Sequence, residues 1–354
     1  MLYVSLIAAF VASILLTPLV KRLAFRIGAV DAPNYRKVHA RIMPRLGGLA
    51  IFLAFLIAVA IFQPILIYNE NGSDFLLAII IGACIIVATG VIDDMREISA
   101  KAKLIGQLIA ALIVIFVGGI QIDMVNLPFI GELNFGLLSI PLTILWIVGI
   151  TNAINLIDGL DGLAAGVSTI ALITLAVMAF IMSNMFVLAI AAILAAATFG
   201  FLFYNFHPAK IFMGDTGALF LGFMISVLAL LGFKNVTVVT LIIPVIILGV
   251  PISDTFFAIV RRVRMKQKWS DPDKSHLHHR LLDMGFTHRQ TVLIIYGIAV
   301  MFGLAAIIFS MAKVWGAILL VAVILTAIEI LVEVIGLAGK NYKPLLNFVR
   351  IFNK

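Results

Sequence analysis

An all-α, polytopic membrane fold of about eleven transmembrane helices follows from three features of the sequence. Hydrophobic residues make up 63% of the 354-residue chain and charged residues only 12%, with a mean hydropathy of +1.20. This is far more apolar surface than one soluble core can hide. Charge-free stretches close to the roughly 20 residues that cross about 30 Å of hydrocarbon recur along the whole chain. When these stretches alternate across a bilayer, 23 of the 25 Lys and Arg residues fall on one side. Only helices and closed barrels satisfy the backbone in lipid, so the stretches are expected to be helical.

The first span covers residues 1–20. It begins without a basic n-region and is followed by its positive charges, which marks a retained helix rather than a cleaved signal peptide. Spans 46–69, 75–92, 104–122 and 133–157 come next. The window 162–209 runs for 48 residues without Asp, Glu, Lys or Arg, so it must hold two spans folded back near Ser183-Asn184. Beyond Asp215 lie spans near 217–233, 238–260, 290–311 and 314–335. The bases cluster in 21–45, 96–103, 210, 261–289 and 340–354, with only Lys234 and Lys313 opposite. The positive-inside rule then places the N-terminus outside and the C-terminus in the cytoplasm.

The chain reads as one transmembrane domain, 1–354, with cytoplasmic loops 21–45, 93–103, 205–216 and 261–289. It has no internal repeat, and an odd span count argues against paired inverted halves. Cys84 is the only cysteine, which excludes an intrachain disulfide or a cysteine zinc site. A net charge of +8 on the cytoplasmic face suits the anionic surface of a lipid bilayer, and no nucleic-acid partner is expected.

Five acids fall at the cytoplasmic ends of three spans: Asp93-Asp94, then Asp158 and Asp161, then Asp215. Carboxylates and amides gathered beside cationic loops point to a hard metal ion and a phosphate substrate, and hence to lipid-linked phosphoryl transfer. The densest motif is Asn152-Ala-Ile-Asn155-Leu-Ile-Asp158-Gly-Leu-Asp161-Gly162. Polar residues at every third position drift about 60° per step on a helix, so Asn152, Asn155 and Asp158 share a face and Asp161 does not. Gly159 and Gly162 let the helix end and turn Asp161 back towards the same cavity.

Asp93 and Asp94 point about 100° apart on a helix, which suits two tasks: one assisting a metal or holding a lysine, the other taking a proton. A solvated span boundary is the plain alternative. Ser99 is placed to cap the next helix, which puts Lys101 and Lys103 in its first turn, where backbone N–H groups and an ammonium add their fields at a phosphate. The third station runs from Tyr204 to Gly217 and holds Asp215 among glycines, with Asn205 and Phe212 suited to a nucleobase edge and face. The loop 261–289 carries His276-Leu-His278-His279 beside Lys274 and Arg280, which fits diphosphate or sugar contacts better than zinc. Asp254 lies seven residues before Arg261 on one helical face, as an ion pair or water-mediated link would require.

These motifs resemble those of the polyprenyl-phosphate N-acetylhexosamine-1-phosphate transferase family, in order, from Arg36-Lys-Val-His39 and Pro44-Arg-Leu-Gly-Gly48 to His276-Leu-His-His279. The branch it is most similar to uses UDP-N-acetylglucosamine and undecaprenyl phosphate in teichoic acid linkage-unit or O-antigen synthesis. The resemblance implies that Asp215 and Asn155 hold Mg2+, with Mn2+ able to replace it, and that Lys103 contacts phosphate. It implies that Asp158, Asn205 and Phe212 border a uridine pocket, with Asn152, Asp161 and the three histidines also facing substrate. It further implies that Asp93 or Asp94 acts on the lipid phosphate, and it is compatible with a homodimer. The His-x-His-His pattern departs from the three consecutive histidines of the muramoyl-pentapeptide branch, which is the alternative enzyme. A flippase is disfavoured because the acids sit at one surface rather than near the midplane. A CDP-alcohol phosphotransferase is disfavoured because neither Asp-Gly-Leu run is followed by Ala-Arg.

Overall fold

The computed structural model describes residues 1–31, 42–66, 72–127, 131–233, 238–266, 276–337 and 342–347. They pack as two compact units, Met1–Leu241 and Ile242–Lys354. The first contains helices α1 (Leu2–Ile27), α2 (Gly47–Leu66), α3 (Gly72–Arg96), α4 (Ala100–Phe116), α5 (Ser139–Ile157), α6 (Leu163–Ile181), α7 (Met185–Asn205) and α8 (Gly214–Phe233). After α9 (Val238–Ile247), the second contains α10 (Gly249–Arg264), α11 (Leu277–Asp283), α12 (His288–Met311) and α13 (Val314–Ile335).

Among the described residues, eight helices are long and apolar enough to cross a membrane, and the chain is a polytopic membrane protein. Two of the eleven expected spans take a different form. The stretch 46–69 supplies the 20-residue helix α2, whereas 104–122 is helical only as far as Phe116, the end of the 17-residue α4, shortly before Gly118-Gly119. The stretch 238–260 is broken at Leu248 into α9 and α10. Pro251 explains the break, since it has no N–H to bond back across Leu248 and is tolerated only in the first turn of a new helix.

The fold between α6 and α7 falls where expected. Ser183 has φ 58°, and the Asn184 side chain accepts from Val187 N (3.1 Å) while donating to Leu231 O (3.1 Å). The all-α expectation is modified by two short antiparallel pairs, β1 (Val30–Asp31) with β2 (Met43–Pro44), and β3 (Met124–Leu127) with β4 (Gly131–Asn134). Both lie in loops between the apolar helices, where water can serve their open edges and no lipid rule forbids a strand.

The most enclosed span is α8, with 89% of its window buried against 11% for α13. Its N-terminal end is pressed against α2 and α3 through residues without side chains. A Cβ at Gly48 would strike the Gly217 backbone, one at Gly90 would strike Thr216, and one at Gly214 would lie 2.5 Å from Asp94 Oδ2. Small residues allow such approach between membrane helices, where packing has to replace the hydrophobic drive. Backbone bonds complete the seam: Phe212 N donates to Pro44 O (2.8 Å), Gly47 N to Phe212 O (3.0 Å) and Gly48 N to Met213 O (2.9 Å).

In the second unit one face of α10 buries Asp254, Ala258 and Arg261. Arg261 Nη1 donates to Leu337 O (2.5 Å). Glu333, fully buried near the end of α13, accepts from Leu345 N (2.6 Å) and Leu346 N (2.8 Å).

Candidate active site

Three helix ends of the first unit meet at its acids. Asp93 and Asp94 stand in the last turn of α3, Lys103 in the first turn of α4, and Asp215 in the first turn of α8. The Ser99 hydroxyl accepts from Ala102 N (3.3 Å), the cap the sequence called for, and this starts α4 where Lys103 reaches the acids.

Lys103 Nζ donates to Asp215 Oδ2 (2.5 Å) and to Asp93 Oδ2 (2.9 Å), so one ammonium bridges two carboxylates. The other oxygen of Asp93 accepts from Ile98 N (3.0 Å). Asp94 does something else. Its carboxylate, with a side chain 0% exposed, accepts from Asp215 N (3.0 Å), Thr216 N (3.0 Å), Thr216 Oγ1 (2.6 Å) and Arg45 Nε (3.3 Å). It is an N-terminal cap for α8 supplied by another helix, stabilised by the free N–H groups and the positive end of the helix dipole.

Asparagine and aspartate residues of α5 complete the cluster. Asn155 Nδ2 lies 3.4 Å from Asp215 Oδ2. Asp158, just past the end of α5, is pushed up to about 8 by burial, with the charges of Asp215 and Asp94 adding to the effect. Oxygens of Asp93, Asp94 and Asp215 lie within 4.8 Å of one another. Three hard carboxylates against Lys103 and an Arg45 that also serves Asp31 and Glu97 leave negative charge to spare. Oxygen donors in excess of their cations fit a divalent ion such as Mg2+.

The remaining residues expected at the site are placed as follows. Asn152 is paired with Gln107 of α4: its Nδ2 donates to Gln107 Oε1 (2.7 Å) and Val148 O (2.8 Å), and Gln107 Nε2 lies 3.4 Å from its Oδ1. Asp161 turns to the loop before α8, where Oδ2 meets His207 Nδ1 (2.8 Å) and Ala209 N (3.1 Å). Gly162, with φ 78°, makes that turn possible. Buried Asn205 ties the same two segments, accepting from Gly162 N (3.1 Å) and donating to Ile211 O (3.0 Å). Phe212 is half-buried, and its backbone is stitched to the strand before α2.

The histidines belong to the second unit. His276 Nδ1 lies 2.8 Å from Asp254 Oδ2, and Leu277 N donates to Asp254 Oδ1 (2.8 Å). The rings of His276 and His278 are parallel at 6.0 Å, and His279 lies 4.2 Å from His278. Burial, followed by the charge of His279, pushes His278 down to about 3, so at neutral pH it is an uncharged ring.

Four residues that matter here were given no such role from the sequence: Arg45, Thr216, Gln107 and, as a histidine partner, Asp254. Gln107 carried a usable signal, being the one amide inside the apolar window 104–120. Arg45 and Thr216 lay within quoted motifs, but their contacts bridge 49 and 122 positions of sequence and leave no local trace.

Residues 76–233 match glycosyl transferase family 4. Over 98% of this chain and 97% of the other, the sequence is 49% identical to a Bacillus subtilis (strain 168) protein named probable undecaprenyl-phosphate N-acetylglucosaminyl 1-phosphate transferase. It is 35% identical to a decaprenyl-phosphate N-acetylglucosaminephosphotransferase of Mycobacterium tuberculosis (strain ATCC 25618 / H37Rv), over 92% of this chain and 87% of that one. A phospho-N-acetylmuramoyl-pentapeptide-transferase of Halalkalibacterium halodurans is 31% identical over 86% and 96%. With near-complete coverage at that identity, and the acidic junction inside the matched segment, the chain belongs to glycosyl transferase family 4.

Proposed function

We propose that the protein transfers N-acetylglucosamine 1-phosphate from UDP-N-acetylglucosamine to undecaprenyl phosphate, releasing UMP, as the first membrane step of a cell-envelope polysaccharide. The observation that carries this is the Lys103 ammonium bridging Asp93 and Asp215 where three membrane helices end. Transfer between two anions needs positive charge at the phosphates and a group to receive a proton, and this junction offers both.

An oxygen of the lipid phosphate attacks the β-phosphorus of the nucleotide sugar, the bond to the bridging oxygen breaks, and UMP leaves with that oxygen. A phosphate monoester has a second pKa of about 6, so the acceptor is a competent nucleophile once positioned. Asp93 takes the last proton when one remains. Asp94 is unsuited to that task, because its oxygens already serve four donors. Asp215 and Asn155 would hold Mg2+, or Mn2+ in its place, which would supply charge neutralisation at the diphosphate. Lys103 exchanges a carboxylate for a phosphate oxygen. Asp158, Asn205 and Phe212 border the uridine, Asn152 and Asp161 support them, and His276, His278 and His279 offer hydrogen bonds to substrate.

The basic loops support eleven crossings with the N-terminus outside and this junction on the cytoplasmic face. Here α9 and α10 count together as one broken crossing.

Purified protein given undecaprenyl phosphate, Mg2+ and each candidate UDP-sugar should yield, by mass, only the diphosphate lipid bearing N-acetylglucosamine. A muramoyl-pentapeptide product, or none, refutes the assignment. In the same preparation stripped of lipid, labelled UMP should not exchange into UDP-N-acetylglucosamine; exchange would reveal a covalent phosphosugar intermediate and end the direct-attack mechanism.

A further inference from the structure

Resting on that transfer reaction, we infer that Asp254 is a positioning residue: from α10 it fixes which nitrogen of His276 carries the proton and the direction the ring faces, so that His276 Nε2 can accept from a hydroxyl or amide N–H of the nucleotide sugar. No residue in the mechanism above requires Asp254, yet it is 1% exposed. A buried carboxylate is retained only when its partners are well placed. Here they come from one turn of chain 22 and 23 positions away: Oδ2 takes His276 Nδ1 and Oδ1 takes Leu277 N, both at 2.8 Å.

The two contacts do different things. Capping Leu277 N fixes the backbone at the start of α11, a task that one oxygen of Ser, Thr or Asn also performs. Only a carboxylate spares a second oxygen for the ring. As a carboxylate it can only accept, so Nδ1 carries the hydrogen and Nε2 is left as the acceptor of the neutral ring. Histidines that bind ligands are commonly oriented this way, by an acceptor on the opposite ring nitrogen. His278 lies parallel to the His276 ring, within 3° and at 6.0 Å between centroids.

The test uses full-length protein in detergent with Asp254→Asn, His276→Phe and the double variant. Asn can keep the Leu277 cap through Oδ1, but its Nδ2 can only donate, so it can hold the ring only with the proton moved to Nε2. Asp254→Asn should raise KM for UDP-N-acetylglucosamine by about tenfold, the worth of one charge-assisted hydrogen bond, with a smaller fall in kcat. Added to His276→Phe it should cost no more than about another twofold, because its effect runs through that ring. Multiplicative losses in the double variant would overturn the inference and leave the histidine's own role standing. Wild-type activity in His276→Phe would overturn both the inference and the assignment of that histidine to substrate. Nitrogen spectra of histidine-labelled wild-type protein, with His276 identified by its loss in His276→Phe, need no folded Asp254 variant. They should show the proton on Nδ1, and a His276 protonated only on Nε2 would refute the proposal.

Discussion

The acidic junction of the first unit and the histidine turn of the second are built with the same device and used differently. In each, a buried carboxylate from one helix accepts backbone N–H groups at the start of another: Asp94 for α8, Asp254 for α11. Around Asp94 the neighbours are charged, with Arg45 on it and the Lys103 bridge beside it. Around Asp254 they are rings, and His278 is held neutral. The first region arranges charge, which in the proposed reaction would serve metal and phosphate. The second governs hydrogen-bond direction. Substitutions at the junction should thus respond to divalent ion and pH, whereas those at the histidine turn should respond to which nucleotide sugar is offered.

The largest effect tests whether capping and chemistry are separable within the junction. Asp215→Ala removes the carboxylate shared by Lys103 and Asn155 and should lower turnover by about a thousandfold or more, while the melting temperature in detergent stays near wild type. Asp94→Ala should lower turnover and also destabilise the protein by about 3 kcal/mol, because it strands buried N–H donors and a guanidinium. Equal melting temperatures for the two variants would erase the distinction drawn here between cap and ligand.

A smaller effect should appear as pH changes. With its pKa raised to about 8, Asp158 holds a proton at neutral pH in the metal-free protein and loses it as pH rises through that value. The ionised form favours a nearby cation, so the Mg2+ concentration for half-maximal activity should fall between pH 6.5 and 8.5, by up to about tenfold per unit if one proton is released. Asp158→Asn should flatten that slope. A requirement for Mg2+ that is independent of pH in the wild type would show that the carboxylate does not communicate with the metal.

The smallest effect belongs to the amide pair that ties α4 to α5 one turn inside the junction. Gln107→Leu removes the partner of Asn152 but no group proposed to touch substrate. Interhelical hydrogen bonds in membranes average about 0.6 kcal/mol and reach about 1.7, so turnover should fall by roughly threefold to twentyfold through displacement of Lys103. A loss as large as that of Asp215→Ala would mean that the pair belongs to the chemistry itself.

What the sequence made legible was local. The spans, the Ser99 cap and the fold-back at Ser183-Asn184 each depend on a handful of adjacent residues whose propensities agree. The three acidic stations were visible because ionisable groups at span ends are costly unless used. Hidden from view was what each acid faces. Asp93 and Asp94 are neighbours with identical chemistry, and only the arrival of α8, 121 positions later, makes one a lysine partner and the other a cap. The break at Leu248 leaves no mark in the hydropathy, because Pro251 interrupts hydrogen bonding rather than hydrophobicity.

The glycine seam around α8 has a consequence for how this protein tolerates change. Where side chains fill a space, trimming one leaves a void that neighbours can partly close. Where backbones touch, as Gly48 and Gly90 do against α8, there is nothing to trim and any added methyl acts as a wedge. Change here is one-sided: a single methyl at Gly90 would push Thr216 away from Asp94 and move Asp215 with it, distorting the junction without replacing any of its polar groups.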